Sequence, residues 1–165
     1  MRPNWLVPAC ATVALAACAA ARAESPAILD LATYPRAALE IVQHAGPQAR
    51  RFHFDVWVAD TRERAEQGLM FVRDLPPGRG MVFPLEPPRV EAMWMKNTYI
   101  ELDMLFIALD GRVSKIIERA RPLSLATLSS DTPVRAVLEL RGGEAQRLGL
   151  RVGDSVSWKL TQTPL

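Results

Sequence analysis

The stretch from Val90 to Leu109, V-E-A-M-W-M-K-N-T-Y-I-E-L-D-M-L-F-I-A-L, constrains the fold more than any other part of this 165-residue chain. It is the densest apolar run outside the N-terminus. Glu91, Lys96, Glu101 and Asp103 interrupt it, which makes it unfit to span a membrane. Asp110-Gly111 closes it with a turn signal. The pattern predicts two strands, Val90–Met95 and Leu102–Ala108, paired through a tight bend at Asn97-Thr98.

The rest of the chain reads as short elements arranged around that pair. Ala38–Val42 is a strand candidate, followed by the turn His44-Ala45-Gly46-Pro47. Arg51–Ala59 alternates Phe52, Phe54, Val56 and Val58 against His53, Asp55 and Trp57, as a half-buried strand does. Asp60 is placed to cap a short helix Thr61–Gln67, with Glu63 as the reciprocal acid and Gly68 as the stop. Met81-Val82-Phe83 reads as a buried strand, and Arg112–Glu118 should return on Leu102–Ala108 through Asp110-Gly111. In Arg135–Leu140 the alternation turns Ala136, Leu138 and Leu140 inwards and leaves Val137 and Glu139 on the other face. Glu139 and Glu118 are thus expected at the surface. A short helix Gly143–Leu148, stopped by Gly149, precedes a last strand Ser155–Leu160. Short strands separated by turn signals predict a mainly β fold, a compact antiparallel sandwich or barrel-like domain carrying two short helices.

Residues 1–23 have the layout of a signal peptide: Arg2, an uncharged Ala-rich stretch, and Ala21-Arg22-Ala23 as an A-x-A cleavage signature. Leu15-Ala16-Ala17-Cys18 also matches a lipobox, which would make Cys18 a lipidation site. Either reading places the domain in the periplasm or outside the cell. Residues 24–37 then read as a linker and 38–162 as one β-rich domain. Both cysteines, Cys10 and Cys18, lie in the leader, so the mature domain offers no disulfide, thiol nucleophile or thiolate metal site. Loss of Arg2 and Arg22 leaves 18 basic against 18 acidic residues, which provides no basic stripe for nucleic acid.

Four segments carry a family resemblance: V-A-D-T-R-E-R-A-E-Q-G-L-M-F (58–71), G-M-V-F (80–83), W-M-K-N-T-Y-I-E-L-D-M-L-F-I (94–107) and the closing V-L-E-L…L-G-L-R-V-G-D. Together they resemble the domain-of-unknown-function 192 family from about Leu39 to Trp158. The resemblance implies a compact β-rich domain, often exported in bacteria, with no established activity.

Several residues are candidates for chemistry. Asp103 sits among apolar neighbours, and a buried carboxylate must be paired or held protonated. Lys96 is the expected partner, which leaves two readings: a polar ligand site around Lys96, Asn97 and Asp103, or a structural aspartate held by lysine or backbone N–H groups. Trp94 is either a platform for a sugar ring or peptide, or a core residue. Arg73 could grip a carboxylate or phosphate, or serve as a solvated loop charge. Met70, Met81, Met93, Met95 and Met104 could supply thioethers to Cu(I), or simply fill the core. Asp103 with Glu91 or Glu101 could form the acid pair of a hydrolase. No nucleophile elbow, phosphate loop, dinucleotide fingerprint or H-E-x-x-H motif occurs. The leading expectation is an exported monomer with no cofactor that binds a small polar or carbohydrate-like ligand, or an envelope partner, through Trp94, Lys96, Asn97, Asp103 and Arg73.

Overall fold

A computed structural model describes residues 28–44 and 48–162, with the side chain of Gln162 left aside. The expected signal peptide, the lipobox reading at Cys18 and the expected Gly46-Pro47 turn lie outside the described residues. Strands β1 (Arg36–Gln43), β2 (Arg50–Val58) and β3 (Arg79–Arg89) come first, with helix α1 (Arg62–Gln67) between the second and third. β4 (Ala92–Met93), β5 (Leu102–Ile107), β6 (Val113–Ala120), β7 (Leu128–Ser129) and β8 (Val134–Arg141) follow. Helix α2 (Glu144–Leu148) and strand β9 (Ser155–Gln162) end the fold.

Seven strands form one sheet in the order β6-β5-β8-β3-β2-β1-β9. The sheet is mixed rather than antiparallel throughout. β2 and β3 run parallel, because α1 carries the chain back across before β3 begins. The two edge strands meet at one end through the bridge between Arg112 and Ser155, and the sheet does not close into a barrel.

Burial follows the pleat. Phe54, Val56 and Val58 of β2 join Val82, Leu105, Ile107, Leu138 and Leu140 in one apolar cluster, to which all seven strands contribute. On the other face Met81, Phe83, Leu102, Met104, Phe106 and Val137 form a second cluster, roofed by Tyr34, Leu69, Leu75 and Met95 from outside the sheet. Strands β3, β8 and β5 are therefore covered on both sides, which explains the nearly continuous apolar runs of β5 and β8. β3 and β8 also approach closely. A Cβ on Gly80 would stand 2.5 Å from the Glu139 carbonyl oxygen, so the position requires glycine.

Three sequence expectations are corrected. The Val90–Met95 segment does not pair with Leu102–Ala108. Its Ala92–Met93 portion pairs with Leu128–Ser129 in a separate two-stranded sheet, and β5 lies between β6 and β8. The physical reason is that β5 buries both faces, whereas Ala92 and Trp94 are exposed. The helix cap is Thr61 rather than Asp60: Thr61 has extended backbone and its hydroxyl accepts from the Arg64 N–H, while Asp60 pairs with Arg64 at 2.6 Å. The described part of the expected linker is packed against the fold. Tyr34 is buried, and the Gln67 side-chain amide holds the Leu29 backbone at both its N–H (2.6 Å) and its C=O (2.8 Å).

Asp103 is fully buried, yet it is not paired with lysine. Its Oδ1 accepts from the backbone N–H groups of Arg119 (2.8 Å) and Gly143 (2.9 Å), and its Oδ2 from that of Ala145 (2.7 Å). Gly143, at φ 84°, offers α2 no side-chain cap, so the carboxylate on β5 caps that helix from across the fold. Lys96 lies elsewhere, exposed, with its Nζ 5.1 Å from the centroid of the Trp94 ring. Asp103→Asn turns an amide donor towards three converging N–H groups and is expected to cost about 3 kcal/mol in urea unfolding. Lys96→Met should leave the urea midpoint unchanged, and the two changes should add. A coupling between them would reinstate the lysine–aspartate pair.

Candidate functional site

The second cluster does not roof its whole face of the sheet. Where α1, the outer end of β3 and the Glu91–Thr98 segment come together, a cleft of ≈ 1200 Å³ opens over the sheet. Its walls are apolar: Leu69, Met70 and Phe71 after the helix, Phe83 on β3, and Met93 and Trp94 opposite. Gly68 ends α1 at φ 52° and turns the following Leu69 down into the core. The chain can then return to the rim at Phe71. There the Phe71 N–H donates to the Asn97 carbonyl at 2.9 Å, and both residues have positive φ (67° and 55°). Asparagine takes that backbone region readily and phenylalanine seldom does, so the hydrogen bond between the two turns holds Phe71 at the rim in a conformation it would not choose alone.

Glu139 forms part of the cleft's lining. It projects from β8 on the same face as Val137, opposite Met81 on β3 and Met104 on β5. Only 4% of the residue is exposed, and among the described residues no ion pair or side-chain hydrogen bond reaches its carboxyl. Burial alone pushes its pKa up from 4.5 to about 8. A neutral carboxylic acid, able to donate one hydrogen bond and accept another, is thus presented to the cleft near neutral pH.

Of the five residues expected at a site, the structure gathers three. Trp94, Lys96 and Asn97 line the cleft; Trp94 is half exposed, and the Asn97 amide lies 3.8 Å from Met70 Sδ. Arg73 is not in the lining; its guanidinium stacks 4.9 Å from the Tyr99 ring centroid. Asp103 points to the opposite face of the sheet and is sealed by its three N–H donors. An acid pair of Asp103 with Glu91 or Glu101 is not assembled: Glu91 borders the cleft on the other face, and Glu101 pairs with Arg119 at 2.8 Å. Met81, Met95 and Met104 are completely buried in the second cluster, and only Met70 and Met93 of the five methionines reach the cleft. Among the described residues no group of three or more His, Cys, Asp or Glu side chains is placed to hold a metal.

The sequence profile of the domain-of-unknown-function 192 family, described as Uncharacterized ACR, matches residues 42–158. The chain belongs to this family. Two solved structures share the fold of this domain-of-unknown-function 192 protein. One, from Sinorhizobium meliloti 1021, is described as a candidate transcription regulator; it is 40% identical, with 76% of this chain and 95% of that chain covered, at a TM-score of 0.73. The other is a protein of unknown function from Novosphingobium aromaticivorans DSM 12444, 36% identical over 82% of this chain and 94% of that one, also at 0.73. No curated protein matches the chain.

Sequence reasoning assigned Glu139 to the surface, whereas the structure buries it. The domain-of-unknown-function 192 signature around Trp94 drew attention to β5, while the acid that faces the cleft lies on β8. A signal was present in Val134–Leu140, where Val137 is apolar on the same face as Glu139. A strand apolar on both faces is a central strand, and a charge within it is buried. Between pH 4.5 and about 8 the folded chain holds a proton on Glu139 that the unfolded chain releases. Its contribution to stability is therefore complete below 4.5 and falls by about 1.4 kcal/mol per pH unit through that window, to a total of about 5 kcal/mol. Glu139→Gln should remove this slope. The variant-minus-parent difference in urea unfolding should grow in the variant's favour as pH rises, then level off. A flat difference would show that the carboxyl is ionised in the fold.

Proposed function

We propose that the protein is an exported, non-enzymatic binding domain that holds a small organic molecule in the cleft over Glu139. The observation that carries this reading is a nearly buried carboxyl, without a side-chain partner among the described residues, facing an open cleft with apolar walls. An unpaired acid weakens the fold by several kcal/mol as it ionises, and residues that reduce stability in this way are characteristic of sites kept for function. Apolar walls with a few convergent polar groups, here Glu139, Asn97 and Lys96, are the usual composition of a small-molecule site. The ligand therefore combines an apolar body with one polar group, rather than being a sugar with hydroxyls all round. The acid-rich lining has the wrong sign for nucleic acid.

Export rests on the leader read from residues 1–23, and no helix among the described residues is long and apolar enough to cross a membrane. A C-terminal alkaline phosphatase fusion should be active, since that reporter works only after export. Cys18→Ala should release the fusion from the membrane fraction if the lipobox is used. An inactive fusion retained in the cytosol would sink the export reading.

Binding is tested with benzyl alcohol as a neutral probe, followed by amide shifts in two-dimensional NMR. Saturable shifts are expected at residues 68–71, 83 and 93–97, and they should be lost when Met93→Trp fills the cleft. Weak, unsaturable shifts scattered over the surface would overturn the proposal.

A further inference from the structure

The charges around the cleft say more about what would enter it. Helix α1 and the turn before it contribute Asp60, Arg62, Glu63 and Glu66 to the lining. The outer end of β3 adds Glu86 and Arg89, and the following segment adds Glu91 and Lys96. With Glu139 this makes six carboxyl groups and three cationic side chains. Most of the cations are already committed. Arg62 pairs with Glu66 at 2.7 Å, and Arg89 with Glu91 at 2.8 Å. Asp60 is held by Arg64, and Lys96 lies over Trp94. Glu63, Glu86 and Glu139 remain without a cation in ion-pair contact among the described residues. The Glu63 carboxyl is held below its ordinary range by hydrogen bonds from its own backbone N–H and from Thr61, so it keeps its negative charge. At the rim the two unpaired acids, Glu63 and Glu86, outnumber the one unpaired cation, Lys96, so the rim is electronegative, and an uncompensated acid lies at the floor.

We propose that the cleft selects organic ammonium ions: small molecules with an apolar body and a protonated amine that pairs with Glu139. This rests on the ligand-binding reading above and names its ligand class. The exchange balances simply. The Glu139 carboxylic acid releases its proton to solvent as the carboxylate forms, and the ammonium takes the place of that proton as its counter-charge. The Phe71 ring at the entrance can face a cation on its way in, and the methionine and leucine walls cover its body. An anionic ligand would meet like charge at the rim and would keep the floor acid from ionising, leaving it one hydrogen bond and no counter-charge. A neutral ligand would gain one hydrogen bond from the acid and nothing from the field around it.

Three probes with the same ring separate these cases: benzylammonium, benzyl alcohol and benzoate, measured by titration calorimetry in buffers of different ionisation enthalpy. Benzylammonium is expected to bind at least roughly tenfold more tightly than benzyl alcohol, with benzoate weakest. At about pH 6 it should release about one proton per molecule bound, and its affinity should rise as the pH climbs towards about 8. Glu139→Gln should abolish the proton release and remove the ammonium's advantage over the alcohol. Should that variant fail to fold, the proton count on the unaltered protein decides the matter alone. Ammonium binding without proton release, or alcohol or benzoate binding as tightly as the ammonium, overturns the cation assignment; saturable alcohol shifts at the cleft would still uphold the binding reading. If no probe saturates at the cleft, both readings fall.

Discussion

Three backbone N–H groups from two separate segments converge on the Asp103 carboxylate, and the central part of the domain depends on their convergence. The Arg119 N–H belongs to β6, while those of Gly143 and Ala145 open α2. A helix of five residues with glycine at its cap cannot hold itself in place in water. Fixing its first turn to β5 gives it a defined position. It also sets the Gly142 corner, whose N–H donates to Glu101 at 2.9 Å and where a Cβ would meet Glu101 at 2.5 Å. The cluster that α2 closes includes Ala145 and Leu150 against strands from the whole sheet. One charged side chain thus organises a corner that apolar packing alone would leave loose.

Glu139 is the counterpart of Asp103 on the opposite face of the same sheet, and the two acids meet opposite fates. Both are almost completely buried, and both sit within apolar strands. Asp103 receives N–H donors at both oxygens, so the backbone stands in for the water it has lost. Glu139 receives none among the described residues, so burial drives it towards the neutral form. The pairing shows why burial by itself does not identify a functional acid. The decisive quantity is whether the surrounding chain supplies the hydrogen bonds that water would have supplied.

Much of the fold was legible because strands advertise themselves through alternation. Phe54, Val56 and Val58 point where their spacing requires, the β5–β6 hairpin forms around Asp110-Gly111, and Gly149 ends α2. The family resemblance, resting on the segment 94–107, was also sound. What could not be read was partnership between distant strands. Proximity in sequence suggested that Val90–Met95 and β5 form a hairpin, but β5 gains more by burying both faces between β6 and β8. Once that pairing fails, Lys96 loses Asp103 and turns to Trp94. The face of Glu139 was misread for the same reason, since alternation distinguishes the two sides of a strand without revealing whether the second side is covered.

The grip of Gln67 on Leu29 couples the first described residues to the wall of the cleft. Gln67 is the last residue of α1, and α1 is a wall of the cleft. Ile28 and Leu29 themselves border the opening. The first described residues therefore lie at the mouth of the cleft rather than at its back. Displacing Leu29 would break two amide hydrogen bonds and so disturb the helix that shapes the entrance.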